Sequence, residues 1–101
     1  NLDTEDDDEL SIGCAGGIDT NTSYDYQEVA IEADSTFLEL SIRGLIGGHS
    51  GMDIDKDRGN ANKFMNRVLY HLFSTVPFQL QSLDGGSLRN AIPRESTAVI
   101  A

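Results

Sequence analysis

Residues 36–76 read TFLELSIRGLIGGHSGMDIDKDRGNANKFMNRVLYHLFSTV, and the fold turns on this stretch. Its opening, Thr36–Arg43, alternates. Leu38, Leu40 and Ile42 line one face and Phe37, Glu39, Ser41 and Arg43 the other, the period of two of a strand with one buried side. A glycine-rich loop, Gly44–Gly51, and an acidic stretch, Met52–Arg58, follow. From Asn60 the period changes. Ala61, Phe64, Met65, Val68, Leu69, Leu72, Phe73 and Val76 fall at helical spacing, with Asn62, Lys63, Asn66, Arg67 and Tyr70 opposite. That predicts a helix over 60–76 whose Met-and-Phe stripe is core rather than a cofactor box. Asn60 can cap its start, and Pro77 cannot continue it.

Outward from this stretch the signals are weaker. Residues 78–83 alternate as a strand, Asp84-Gly85-Gly86 reads as a turn, and Glu95–Ala101 gives a last strand after Pro93. The loop between these two strands is short enough for a hairpin. On the N-terminal side, Leu10, Ile12 and Cys14 alternate with Glu9, Ser11 and Gly13. Residues 23–33, with Val29 and Ile31 on one face, read as a further strand. Strands outnumber helices. The expected class is therefore α+β: a ferredoxin-like, mainly antiparallel sheet with one main helix packed on one face. A ferredoxin-like sandwich asks for a second helix after Ala101, and the chain starts without Met, so a truncated piece of a longer protein is expected.

The 101 residues are 39% hydrophobic, enough for one modest core. Seventeen acids against seven bases give a net charge of −10, which excludes a generic nucleic-acid binder, since phosphate is bound through Lys and Arg. It also argues against docking on an anionic membrane. No apolar run approaches the roughly 20 residues of a membrane span. The single cysteine, Cys14, excludes an internal disulfide framework and fits a reducing, cytoplasmic setting. Charge is distributed unevenly. Residues 1–42 hold twelve acids and no Lys or Arg, whereas residues 43–101 hold five acids and all seven bases.

Several motifs fail on inspection. The loop 44–51 lacks the Lys of a phosphate-binding loop, and Met52 stands where a nucleophile elbow needs its second Gly. Asp53, Asp55 and Asp57 open like an EF-hand, but Arg58 replaces the required Gly and Phe64 the closing Glu, so a solvated acidic turn is expected. A calcium-binding domain built on the acidic runs would show a calcium-dependent melting temperature. Asn21-Thr22-Ser23 matches a glycosylation acceptor, which carries no weight in a cytoplasmic protein. His71, near the helix end, suits the helix dipole. His49 is the residue to explain. Flanked by Gly47-Gly48 and Ser50-Gly51, it is either a surface loop histidine or an imidazole free to approach and donate to a developing oxyanion.

Three blocks in order, Asn1–Glu5 running into IGCAGG at 12–17, GLIGGHSGMDIDKDRGNAN at 44–62 and GGSLRNAIPRE at 85–95, span nearly the whole chain. In combination they resemble the aminoacyl-histidine dipeptidases (Xaa-His dipeptidases, peptidase D), members of a clan of di-zinc metallopeptidases. The resemblance implies that residues 1–15 are the tail end of a catalytic zinc domain and residues 16–101 the first part of a lid or dimerisation-type domain. It further implies that Asp3 is a zinc ligand, that His49 stabilises the tetrahedral oxyanion, and that Asn90 hydrogen-bonds substrate. Read without the family, Asp3 is a solvated acid and Asn90 a turn residue. The implied parent is a cytoplasmic metallodipeptidase using two zinc ions, its partners being a dipeptide substrate, the catalytic domain of the same chain and a second copy. The piece itself is expected to be inactive and without a tight zinc site. The competing reading is a free-standing acidic interaction module that pairs through a sheet edge.

Overall fold

The strand predicted over Thr36–Arg43 forms as β1, Leu38–Ile42, and the last predicted strand as β5, Ser96–Ile100. The computed structural model of the chain describes residues 8–10, 12, 13 and 16–101. Between β1 and β5 lie β2 (Gly48–His49), α1 (Ala61–Phe73), β3 (Leu80–Gly85) and β4 (Ala91–Ile92). β5 is central, paired antiparallel with β1 on one side and β3 on the other. β2 and β4 make a separate two-stranded antiparallel ribbon. Among the described residues the fold is α+β, an antiparallel sheet with a single helix, as the periodicities predict.

Register explains which face is buried. Leu38, Leu40 and Ile42 stand opposite Ile100, Ala98 and Ser96, and Leu80, Leu83 and Gly85 stand opposite the same three residues across the other side of β5. Directly opposed residues share a face, so these nine form one side of the sheet. α1 lies over it against β5 and β1. Small residues let the helix approach closely: Ala61 and Ala98 are 0% exposed and Ser96 2%. Met65, at 1%, fills the space that remains. The buried Ser96 hydroxyl donates to the Asp84 carbonyl at 3.1 Å, so no polar atom is stranded.

The helix begins as expected. Asn60 Oδ1 accepts from Lys63 N at 3.1 Å, and Ala61 N donates to the Pro93 carbonyl at 2.9 Å, which satisfies two of the N–H groups a helix start leaves open. It ends at Phe73, three residues before the predicted Val76. Ser74 Oγ and Thr75 Oγ1 donate back to the carbonyls of Tyr70 and His71 at 2.8 and 3.0 Å, and this competition with the backbone closes the helix before Pro77 is reached. The predicted core stripe is only half realised. Met65 is buried, but Phe64, Val68, Phe73 and Val76 are exposed, because α1 leaves the β3 side of the sheet uncovered.

Three further expectations are corrected or fall elsewhere. Residues 23–33 carry no strand, and Val29 is 65% exposed. β-Propensity registers fit to a half-buried surface, and among the described residues this segment has none to bury against. The predicted turn Asp84-Gly85-Gly86 shifts: Asp84 and Gly85 finish β3, and the chain turns from Gly86, whose φ is +73°. The strand expected at 10–14 lies partly outside the described residues; Leu10 and Ile12 are exposed and in no strand. Arg89 pairs with Asp19, joining the N-terminal segment to the β3–β4 loop through an exposed contact. Among the described residues no helix is long and apolar enough to cross a membrane.

Candidate functional site

The ribbon β2–β4 brings together two residues that the sequence singled out. His49 pairs with Ala91, and Ser50 N donates to the Asn90 carbonyl at 2.9 Å, so His49 and Asn90 stand at the same end of the ribbon. Both are exposed. Beside them a cleft of about 240 Å³ opens between Gly48 and Ala91–Arg94 on one side and Gly86–Leu88 on the other; neither His49 nor Asn90 lines it.

The turn after β2 fixes the His49 ring. Nδ1 accepts from Gly51 N at 3.1 Å and from Met52 N at 3.2 Å, the bonds an N-cap side chain makes to the second and third residues of a helix start. A nitrogen that accepts from two obligatory donors carries no hydrogen. The neutral ring therefore bears its hydrogen on Nε2. Reciprocally, Asp53 Oδ2 accepts from His49 N at 2.7 Å, the logic of a capping box stretched by one residue. The Asp53 N–H donates in turn to the His49 carbonyl at 3.1 Å.

Asp53 is held as tightly as it holds. Lys56 Nζ lies 2.8 Å and Arg58 Nη2 3.1 Å from its Oδ1. The Lys56 hydrogen bond and then the His49 N–H keep its carboxyl below the usual value, opposed by desolvation and helped in lesser degree by the nearby Arg58 charge. Arg58 Nη1 also donates to the Gly47 carbonyl at 2.6 Å, clamping the strand from its other end. This crowding explains the paired glycines. A Cβ on Gly48, whose φ is +151°, would stand 2.6 Å from Asp53 Oδ2 and 2.8 Å from Asp53 Cβ. A Cβ on Gly47, φ +69°, would meet the Arg94 side chain and the Ile92 carbonyl.

The solvated acidic turn expected at 53–57 thus needs correction at its first member. Asp55 and Asp57 are exposed, but the Asp53 side chain is only 16% exposed and fully engaged. Sequence reasoning missed Asp53 and Arg58 as supports of His49. The available signal was an acid four residues and a base nine residues beyond the histidine, with Gly-Gly before it. Asp3 lies outside the described residues. His71 sits in the last turn of α1, away from the ribbon. Among the described residues no three His, Cys, Asp or Glu side chains converge as a metal site. What the ribbon offers chemically is an exposed imidazole whose Nδ1 is engaged, leaving Nε2 as the donor, at the same end of the ribbon as Asn90.

Comparison with known proteins places the chain in a family. The chain is 43% identical over all 101 residues to the cytosol non-specific dipeptidase of Escherichia coli (strain K12), covering 21% of that protein. The crystal structure of aminoacylhistidine dipeptidase from Vibrio alginolyticus superposes with a TM-score of 0.67 at 46% identity, covering 70% of this chain and 14% of that one. The chain thus spans about a fifth of the length of the curated relative it matches. Residues 40–101, which hold the whole sheet but for the start of β1, together with the helix and the ribbon, match the family model of the peptidase dimerisation domain, and the chain belongs to that family.

Proposed function

We propose that this chain is the lid or dimerisation-type part of a cytoplasmic zinc metallodipeptidase, and that it lends His49 and Asn90 to the hydrolysis of Xaa-His dipeptides. The observation that carries the reading is the ribbon, which holds His49 with its Nδ1 engaged and brings it to the same end as Asn90, both exposed. A neutral N–H held by its own backbone costs no reorganisation as a carbonyl oxygen becomes an oxyanion, which is when such a donor is worth most. Asn90, whose amide offers an NH₂ donor group and a carbonyl acceptor, suits the substrate's terminal groups.

In this reading residues 1–15 are the edge of the catalytic domain, with Asp3 a carboxylate ligand to zinc, and residues 16–101 are the cover. Two zinc ions in the catalytic domain would polarise the scissile carbonyl and activate water; their remaining ligands and the general base belong to the rest of the intact protein. The choice of Xaa-His substrates is supported by the Vibrio relative's name, while the Escherichia relative is named as non-specific. A homodimer is supported by the description of the family. The acidic interaction module retains one observation, the unpaired outer edges of β1 and β3 among the described residues. The test is steady-state hydrolysis of an Xaa-His dipeptide by the intact protein. His49→Ala is expected to lower kcat by about 10²–10³, and Asn90→Ala to raise KM. Undiminished turnover by His49→Ala would remove the reading.

A further inference from the structure

The His49 ring does not hold itself. Its Nδ1 is sealed by the N–H groups of Gly51 and Met52, and Asp53 ties the turn that presents those groups back to the His49 backbone. The Asp53 carboxylate takes the His49 N–H at 2.7 Å, while its own N–H returns to the His49 carbonyl at 3.1 Å. Arg58 then spans the clamp, 3.1 Å from Asp53 Oδ1 and 2.6 Å from the Gly47 carbonyl. The ion pair to Lys56 is more open, with that side chain 53% exposed against 24% for Arg58. Lys56 does more for the carboxylate's charge, whereas Arg58, the less exposed of the two, is the cation that also reaches the Gly47 carbonyl and so ties the carboxylate to the strand.

We propose that Asp53 is a positioning residue for the dipeptidase reaction: braced by Arg58, it holds the turn that seals His49 Nδ1 and so leaves Nε2–H as the ring's single donor. This rests on the reading of His49 as the oxyanion donor given above. Without the clamp the ring turns about χ1 and χ2 and exchanges its hydrogen between nitrogens, so the donor is present in the right place for only part of the time. A displacement of about 1 Å at such a group can cost as much as a hundredfold in rate. Asp53 touches neither substrate nor reacting atoms and acts through His49 alone.

The experiment measures kcat and KM for one Xaa-His dipeptide with the intact protein and its His49→Ala, Asp53→Ala, Asp53→Asn and His49→Ala/Asp53→Ala variants. Histidine ring ¹⁵N spectra report the tautomer. Asp53→Ala is expected to lower kcat by about tenfold to a hundredfold with KM within about twofold. Its His49 signals should move from a single Nε2–H form toward a tautomer mixture. Asp53→Asn keeps an acceptor for the His49 N–H, so it should recover part of the loss; should Asp53→Ala fail to fold, Asp53→Asn carries the test. The double variant should be no slower than His49→Ala, because a support has nothing to do once the ring is gone. Wild-type kcat and an unchanged ring spectrum in the Asp53 variants would overturn the inference, as would a double variant slower than His49→Ala by the full Asp53 factor. If His49→Ala keeps full turnover the oxyanion reading falls; if only the Asp53 variants keep it, the clamp alone falls.

Discussion

Asp53 shows how one carboxylate can decide the state of a neighbouring ring. Its charge is stabilised by the Lys56 hydrogen bond, the His49 N–H and Arg58, so its folded pKa lies below its unfolded value. A depressed carboxyl adds stability that is fully present above the unfolded value, about 3.9, and lost as pH falls through the folded one. Thermal unfolding of the chain and of Asp53→Asn should therefore differ by a constant amount from pH 7 down to about 5 and converge below about 3.9. A gap that persists unchanged in acid would mean that the carboxylate's charge is irrelevant to the clamp. At this scale the candidate site was half legible. His49 stands out because four small residues flank it, and Asn90 because of the block in which it lies. Asp53 was hidden by its company. In Asp-x-Asp-x-Asp all three acids look equivalent, and only the three-dimensional return of the chain, which a Cβ at Gly48 would obstruct, tells the first from the others.

For the elements, the deciding contact is the seat of α1 on β5. Met65 is the one large side chain in it that is fully buried. Met65→Ala should destabilise the chain by about 2–5 kcal/mol, whereas Val68→Ala, at 38% exposure, should cost well under half of that; chemical denaturation of both variants checks the order. Equal losses would mean that the helix is seated on another face. The elements with strong periodicity, β1, α1 and β5, were readable because each has a surface to bury against. Residues 23–33 failed for want of that surface, although Tyr24, Tyr26, Val29 and Ile31 are good strand formers. The two-residue strands β2 and β4 have no period to detect. They exist because the glycines at 47 and 48 and the loop before Pro93 let two backbones meet, so the element that matters most to the site left the least trace in sequence.

Across the whole molecule, charge and exposed apolar surface pull in opposite directions. The net charge of −10 repels a second copy. Yet on the helix-bearing side of the sheet Leu80 and Leu83 are 49% and 56% exposed, and Phe73 and Val76 at the helix end 66% and 56%. Apolar patches of this kind favour association. Salt decides between the two, since at about 0.15 M the Debye length is near 8 Å and repulsion between distant charges is largely screened while apolar contact is not. The 101-residue chain should therefore associate with itself, more strongly as salt is raised, in sedimentation velocity across a concentration series. Leu80→Lys/Leu83→Lys should restore the monomer while leaving the seat of Met65 intact, because neither leucine is covered by α1. A chain that stays monomeric at low and high salt alike would show that the open face is too small or too well solvated to drive contact.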